Sequence, residues 1–126
     1  MGNELPDADV LGARLRALAD PGRRRVVELL STSPRRAGTL AEEMRMPAPT
    51  MSKHLRVLLE AGIVVDERSA EDARVRVFRL RRESMVALGA WLDQLQAHWD
   101  EQLGSFQAHA ESRASHRKAT GVGTRR

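Results

Sequence analysis

Apolar residues recur at intervals of three and four along most of this chain, a helical period, and turn to alternation between about residues 63 and 80. Leu11, Leu15 and Leu18 mark a first amphipathic helix over 8–19. The stretch ADPGRRRVVELL restarts the pattern. Asp20 suits an N-cap, Pro21 suits the first helical position, where its missing N–H costs nothing, and Val26, Val27, Leu29 and Leu30 supply an apolar side. STSPRRAG closes this helix with breaker residues. Thr39 and Glu42 have the spacing of a capping box, and Leu40 with Met44 gives the inward side of a short third helix, which Pro47 and Pro49 bring to an end.

The prolines also predict a corner. Pro49 fits the first turn of a fourth helix and pushes Ala48 out of the helical region, so the chain turns between Met46 and Ala48 and starts again. At 100° per residue, Met51, Leu55, Leu58 and Leu59 gather on one side of that helix. Lys53 points away from them with Thr50 and Arg56 nearby, and Ser52 and His54 fall on the flanks. Gly62 stands where a left-handed residue ends the helix. IVVDERS and RVRVFRL, rich in Val, Ile and Phe and separated by AEDA, read as a hairpin whose tip, lacking glycine, is longer than the tightest kind. From Glu83 to Glu111 the helical period returns. Leu88, Leu92, Leu95, Trp99, Leu103 and Phe106, with Trp91 beside them, form a stripe along about 40 Å of helix.

A chain of 126 residues is expected to form one main domain, here 8–111, between a flexible N-terminus over 1–7 and a basic disordered tail over 112–126. The absence of cysteine excludes disulfides and thiolate metal sites. The acidic start MGNELPDADV has no secretory pattern and the longest apolar run, AGIVV, is far short of the ~20 residues of a membrane span. A cytoplasmic protein without membrane partners is expected. The formal charge of +4 hints at nucleic acid, but its distribution tempers that. Residues 1–112 carry 16 Lys and Arg against all 17 acids, whereas 113–126 carry five bases and no acid. The excess lies in the tail, so any electrostatic case for the body rests on where its arginines sit.

A short helix, a tight turn and a second helix with an outward polar face form a helix-turn-helix, whose second helix lies in the DNA major groove. Lys53 and Arg56 can pair with phosphates or guanine acceptors, Thr50 and Ser52 with phosphate oxygens or base edges, and His54 can donate to either. LADPGRRRVVELL, then TLAEEMRMPAPTMSKHLRVLLEAGIV, then a strand pair ending RVRVFRL, resembles in order and gaps the ArsR/SmtB family of winged helix-turn-helix repressors over about residues 8–110. The resemblance implies a mainly α fold with a small β-hairpin wing, a homodimer paired through its first and last helices, and a reading helix from about Pro49 to Ala61. It also places Thr50, Ser52, Lys53 and His54 at the family's DNA-reading positions.

The candidate DNA-contacting set is therefore Thr39, Pro49, Thr50, Ser52, Lys53, His54 and Arg56, with Arg68, Arg74 and Arg76 from the wing. The wing departs from the family's pattern, since Glu71 and Asp72 occupy its tip where phosphate contact favours bases. The candidate dimer interface comprises Leu11, Leu15 and Leu18 with Leu88, Trp91, Leu92, Leu95, Trp99, Leu103 and Phe106. Expected partners are a double-stranded operator, a second copy, and a small-molecule or protein inducer that the sequence does not identify.

Many family members release DNA on binding metal. Here the cysteine site is absent, and of the site on the last helix only His98 and Glu101 match; the Asp-x-His half is missing. Two ligands on one helix do not close a four-coordinate zinc site, so neither metal nor cofactor is expected and a metal-responsive repressor with an atypical site is the lesser reading. Catalysis is not expected either. Ser52 and His54 are two apart on a helix and face different ways, and no nucleophile, base and orienter set is visible. The alternative from another class is a protein-interaction module that docks a partner on the Trp-bearing last helix.

Overall fold

The computed structural model describes residues 7–118, in the order α1 (Ala8–Leu18), α2 (Pro21–Leu30), α3 (Ala37–Met44), α4 (Ala48–Glu60), β1 (Val64–Arg68), β2 (Arg76–Leu80) and α5 (Arg82–Lys118). It falls into two units, Met1–Ala90 and Trp91–Arg126. Residues 1–6 and 119–126, which include most of the predicted flexible ends, lie outside the described residues. Residues 112–118, assigned above to the tail, continue α5 as helix.

Local chemistry starts and stops the helices of the first unit. Asp7 caps α1 by accepting from the Asp9 N–H at 2.9 Å. The Asp20 carboxylate accepts the Arg23 N–H at 3.0 Å with Pro21 at the first position of α2, as predicted. The expected capping box on α3 is not formed. Its N-cap is Arg36, with no side-chain bond, and Thr39 lies inside the first turn. The cause is long-range. Arg35 is bridged to β2 by paired backbone bonds with Phe78 of 3.0 and 2.8 Å, so the chain leaves an extended position at Arg35 and enters the helix two residues before the Thr39 signal.

Two left-handed residues then set the chain's direction. Arg45, at φ 52°, follows α3, and the Met46 N–H donates to the Ala41 carbonyl at 2.9 Å while the Arg45 N–H donates to Glu42 at 3.2 Å. Gly62, at φ 74°, does the same after α4, with Ile63 N–H to Leu58 and Gly62 N–H to Leu59, both 3.0 Å. Both are Schellman ends. Between them, Pro47 caps α4 in extended conformation and Ala48 is already helical, with Pro49 second. The expectation that Pro49 excludes Ala48 from the helix is thus corrected: the preference against helix before proline is a bias, outweighed here by the corner's geometry.

The helices close on one core. Val26 and Leu30 of α2, Leu40 of α3, Met51, Leu55 and Leu58 of α4, Ile63, Val64 and Phe78 are all buried. The hairpin pairs antiparallel from Val64 opposite Leu80 to Arg68 opposite Arg76, with residues 69–75 forming the long tip. Buried Ser84, at the start of α5, donates its hydroxyl to the Gly62 carbonyl and so ties the end of α4 to the last helix within this unit. In the second unit, every side chain described from Leu92 to Glu111 is exposed. No described helix is long and apolar enough to cross a membrane.

Leu58 lies in the centre of this core at 0% exposure, so Leu58→Ala should cost about 2–5 kcal/mol in urea unfolding. Arg45→Gly should act in the opposite sense. Relief of about 1–2 kcal/mol of left-handed strain exceeds the smaller gain in unfolded-chain entropy, so a modest rise in midpoint is expected and a fall would contradict the corner's geometry.

Candidate nucleic-acid interface

The side chains that α4 turns away from the core form the candidate site. Pro49, Thr50, Ser52, Lys53 and Arg56 are exposed, and neither Lys53 nor Arg56 has an ion-pair partner among the described residues. The opposite side, Met51, Leu55 and Leu58, is buried. Burial of one face therefore presents the other at a fixed angle, two cations flanked by two hydroxyls along one and a half turns of helix.

His54 does not join that face. Its side chain is only 14% exposed and is turned toward the start of α2, with Nε2 3.8 Å from Asp20 Oδ2 and Nδ1 3.5 Å from Arg23 Nη1. Of the expected DNA-reading residues it therefore stands apart from Thr50, Ser52, Lys53 and Arg56, which share the exposed face. Its place on the helix, about 40° from buried Leu58, lets the corner of α1 and α2 cover it. Thr39 is half-buried and lines a cleft of about 590 Å³ beside Arg35, Arg36, Ser69 and Asp72.

The wing is electrically closed on itself. Asp66, Glu67, Glu71 and Asp72 balance Arg68, Arg74, Arg76 and Arg79 between Val64 and Leu80. Arg74 makes a two-pronged contact with Asp72 at 3.1 and 3.2 Å, Arg76 Nε meets Asp66 at 2.6 Å, and Arg79 Nε meets Glu67 at 3.0 Å. Arg76 also lies 5.2 Å over the Phe78 ring. Arg68 is the one wing cation with no ion pair among the described residues, so the three predicted wing arginines are not equivalent. The Asp66 and Asp72 carboxyls are held below the usual aspartate value, chiefly by their hydrogen bonds from Arg76 and Arg74.

Several arginines that sequence reasoning left unplaced serve the scaffold. Arg23 Nε donates to the Ala17 carbonyl at 2.6 Å, and Arg24 Nη1 donates to Leu18 and Ala19 at 2.8 and 3.0 Å, so two members of the Arg23–Arg25 run cap the C-terminus of α1. Arg35 pairs with Glu43 at 2.5 Å and with Thr32 at 2.6 Å. A cation near a helix end was the signal for Arg23 and Arg24. For Arg35 nothing local was available.

The predicted dimer residues divide as well. Leu15 is 40% exposed on α1, with Leu11 and Leu18 half-buried, while Leu88 is 7% exposed and packs inside its own chain, which corrects its assignment to an interface. Trp91 is half-buried. Leu92, Leu95, Trp99, Leu103 and Phe106 are exposed, Trp99 by 62% and Phe106 by 73%. Among the described residues no three His, Asp or Glu come together to hold a metal ion.

Residues 18–67 match a helix-turn-helix domain family. A 69-residue stretch, 55% of this chain, is 39% identical to the HTH-type transcriptional repressor SmtB of Mycobacterium tuberculosis and spans 51% of it, so the match covers about half the length of that relative. A crystal structure of an ArsR family transcriptional regulator is 31% identical, with 77% of this chain and 97% of that one covered at a TM-score of 0.65. The solution structure of a homodimeric winged helix-turn-helix DNA-binding domain from Mycobacterium bovis is 28% identical, with 75% and 82% covered at 0.56.

Since their carboxyls lie below the ordinary value of 3.8, the two wing pairs act at every pH above it and are lost only as pH falls below it. Carbon-detected titration should find Asp66 and Asp72 protonating below 3.8, and Arg76→Gln should raise Asp66 alone. Titration of both at or above that value in the wild type would contradict the pairing.

Proposed function

The chain belongs to the ArsR family of winged helix-turn-helix regulators, and from that premise we propose that it is a homodimeric repressor that binds a short inverted-repeat operator. The observation that carries this reading is the exposed polar face of α4, with Thr50, Ser52, Lys53 and Arg56 unengaged by the rest of the chain. In the major groove Lys53 and Arg56 neutralise phosphates or meet guanine, Thr50 and Ser52 reach base edges or phosphate oxygens, and Pro49 packs at the leading end. Thr39 and Arg68 approach the flanking backbone. Arg74 and Arg76 contribute little, because each already spends its charge on an aspartate. Repression follows from occupation of the promoter, with half-sites about one helical turn, ~10 base pairs, apart.

Two half-sites require two copies. The exposed Leu92, Leu95, Trp99, Leu103 and Phe106 stripe is more apolar surface than a monomer ordinarily leaves to water, and a second copy of this chain covers it. A stable monomer would instead favour the interaction-module reading, in which the same stripe docks another protein.

The direct test is titration of the protein onto the DNA upstream of its own gene, at two salt concentrations, against scrambled competitor. Tight, competitor-resistant binding at a dyad is expected; weak binding that salt abolishes would overturn the reading. Lys53→Ala should weaken binding to all sequences and lower the slope of log affinity against log salt by about one, whereas Arg74→Ala should leave it nearly unchanged. Thr50→Ala should instead alter the ranking of operators that differ at one base pair, with about 1–3 kcal/mol of discrimination lost there. Leu95→Glu should shift sedimentation from dimer to monomer and reduce operator affinity together.

A further inference from the structure

His54 sits on the reading helix yet is held by groups at the start of another helix, α2. The charged side chains in contact with its ring are Asp20, 3.8 Å from Nε2, and Arg23, 3.5 Å from Nδ1, both at the start of α2. A guanidinium donates and does not accept, so Nδ1 is the accepting side of the Arg23 contact, while Nε2 faces the Asp20 carboxylate beyond hydrogen-bond distance. The same two residues hold the neighbouring helix ends. Asp20 accepts the Arg23 N–H and caps α2, while Arg23 reaches the Ala17 carbonyl at 2.6 Å and Arg16 at 3.4 Å at the end of α1. Gly22 leaves the room for this cluster, because a Cβ there would lie 3.0 Å from both Asp20 Oδ2 and His54 Nε2.

We infer that His54, Asp20 and Arg23 form a latch that fixes the angle of α4 against the end of α1, so that His54 governs DNA affinity as a positioning residue without touching DNA. Movement of α1 is then carried through Arg23 to the reading helix. Gln at position 54 keeps an acceptor for Arg23 and a polar group beside Asp20, so it preserves the latch; Ala cannot. The inference rests on the DNA-binding reading for its consequence, but the latch itself is measurable in the free protein.

The experiment has two arms. In the first, unfolding of the wild type, His54→Ala, Arg23→Gln and the double variant forms a cycle in which the two changes are expected to be non-additive. A coupling of roughly fivefold in the unfolding equilibrium is expected, the equivalent of one net hydrogen bond; additivity overturns the latch. In the second, operator affinity is measured across single-base variants. His54→Ala should weaken all of them by a similar factor, roughly fivefold to tenfold by the same equivalence, with the base ranking and salt slope unchanged, and His54→Gln should restore binding. Gly22→Ala, which crowds the ring while favouring helix, should weaken binding in the same uniform way. A changed base ranking in His54→Ala, or failure of His54→Gln to restore affinity, overturns the positioning role. Failure of the wild type to bind DNA at all would refute the functional reading instead and leave the latch to the unfolding cycle.

Discussion

The corner between α3 and α4 is the constraint on which the rest depends. Arg45 takes a left-handed conformation that costs an L-residue about 1–2 kcal/mol, and it is held there by the Met46 and Arg45 N–H groups, which satisfy carbonyls of Ala41 and Glu42. That turn aims α4 so that Met51, Leu55 and Leu58 close the core while the opposite face stays in water. A straight continuation would bury neither helix and would present no such face. The family's use of this arrangement on DNA gives the polar side its meaning; the packing gives it its rigidity.

Electrostatics are distributed with the same economy. Several of the arginines described in the first unit are engaged in holding structure: Arg23 and Arg24 close α1, Arg35 ties α3 to the loop before it, and Arg74, Arg76 and Arg79 brace the wing against acids. The exposed cations without an ion pair among the described residues include Lys53 and Arg56 on α4 and Arg68 on the wing, together with Arg16, Arg36, Arg45, Arg81 and Arg82 elsewhere in this unit. Of these, Lys53 and Arg56 share the exposed face of α4 with Thr50 and Ser52, so phosphate attraction and base contact meet on one helix.

Features set by neighbours in the chain were legible in the amino-acid sequence alone. The Asp20 and Pro21 start of α2, the left-handed Gly62 and the inward face of α4 each depend on a few consecutive residues. What escaped depended on residues far apart. The start of α3 is decided by the bridge between Arg35 and Phe78, not by Thr39; the left-handed turn falls on an arginine that carries no turn signal; and Arg76 and Arg79 are paired with acids across the hairpin. A helical wheel placed His54 on a flank but could not say that Asp20 and Arg23 would cover that flank. Leu88 likewise shared the spacing of the exposed stripe and turned out to lie inside its own chain. Periodicity identifies a face, and tertiary contact decides whether it meets solvent, a neighbour or a partner.

The central claim, that two copies of this chain present α4 to two related major-groove sites, is tested most directly by selecting bound sequences from a pool of random duplex DNA with the full chain at physiological salt. The account predicts enrichment of one inverted repeat with half-sites about 10 base pairs apart. Recovery of unenriched sequence, or of an unpaired half-site alone, would contradict it.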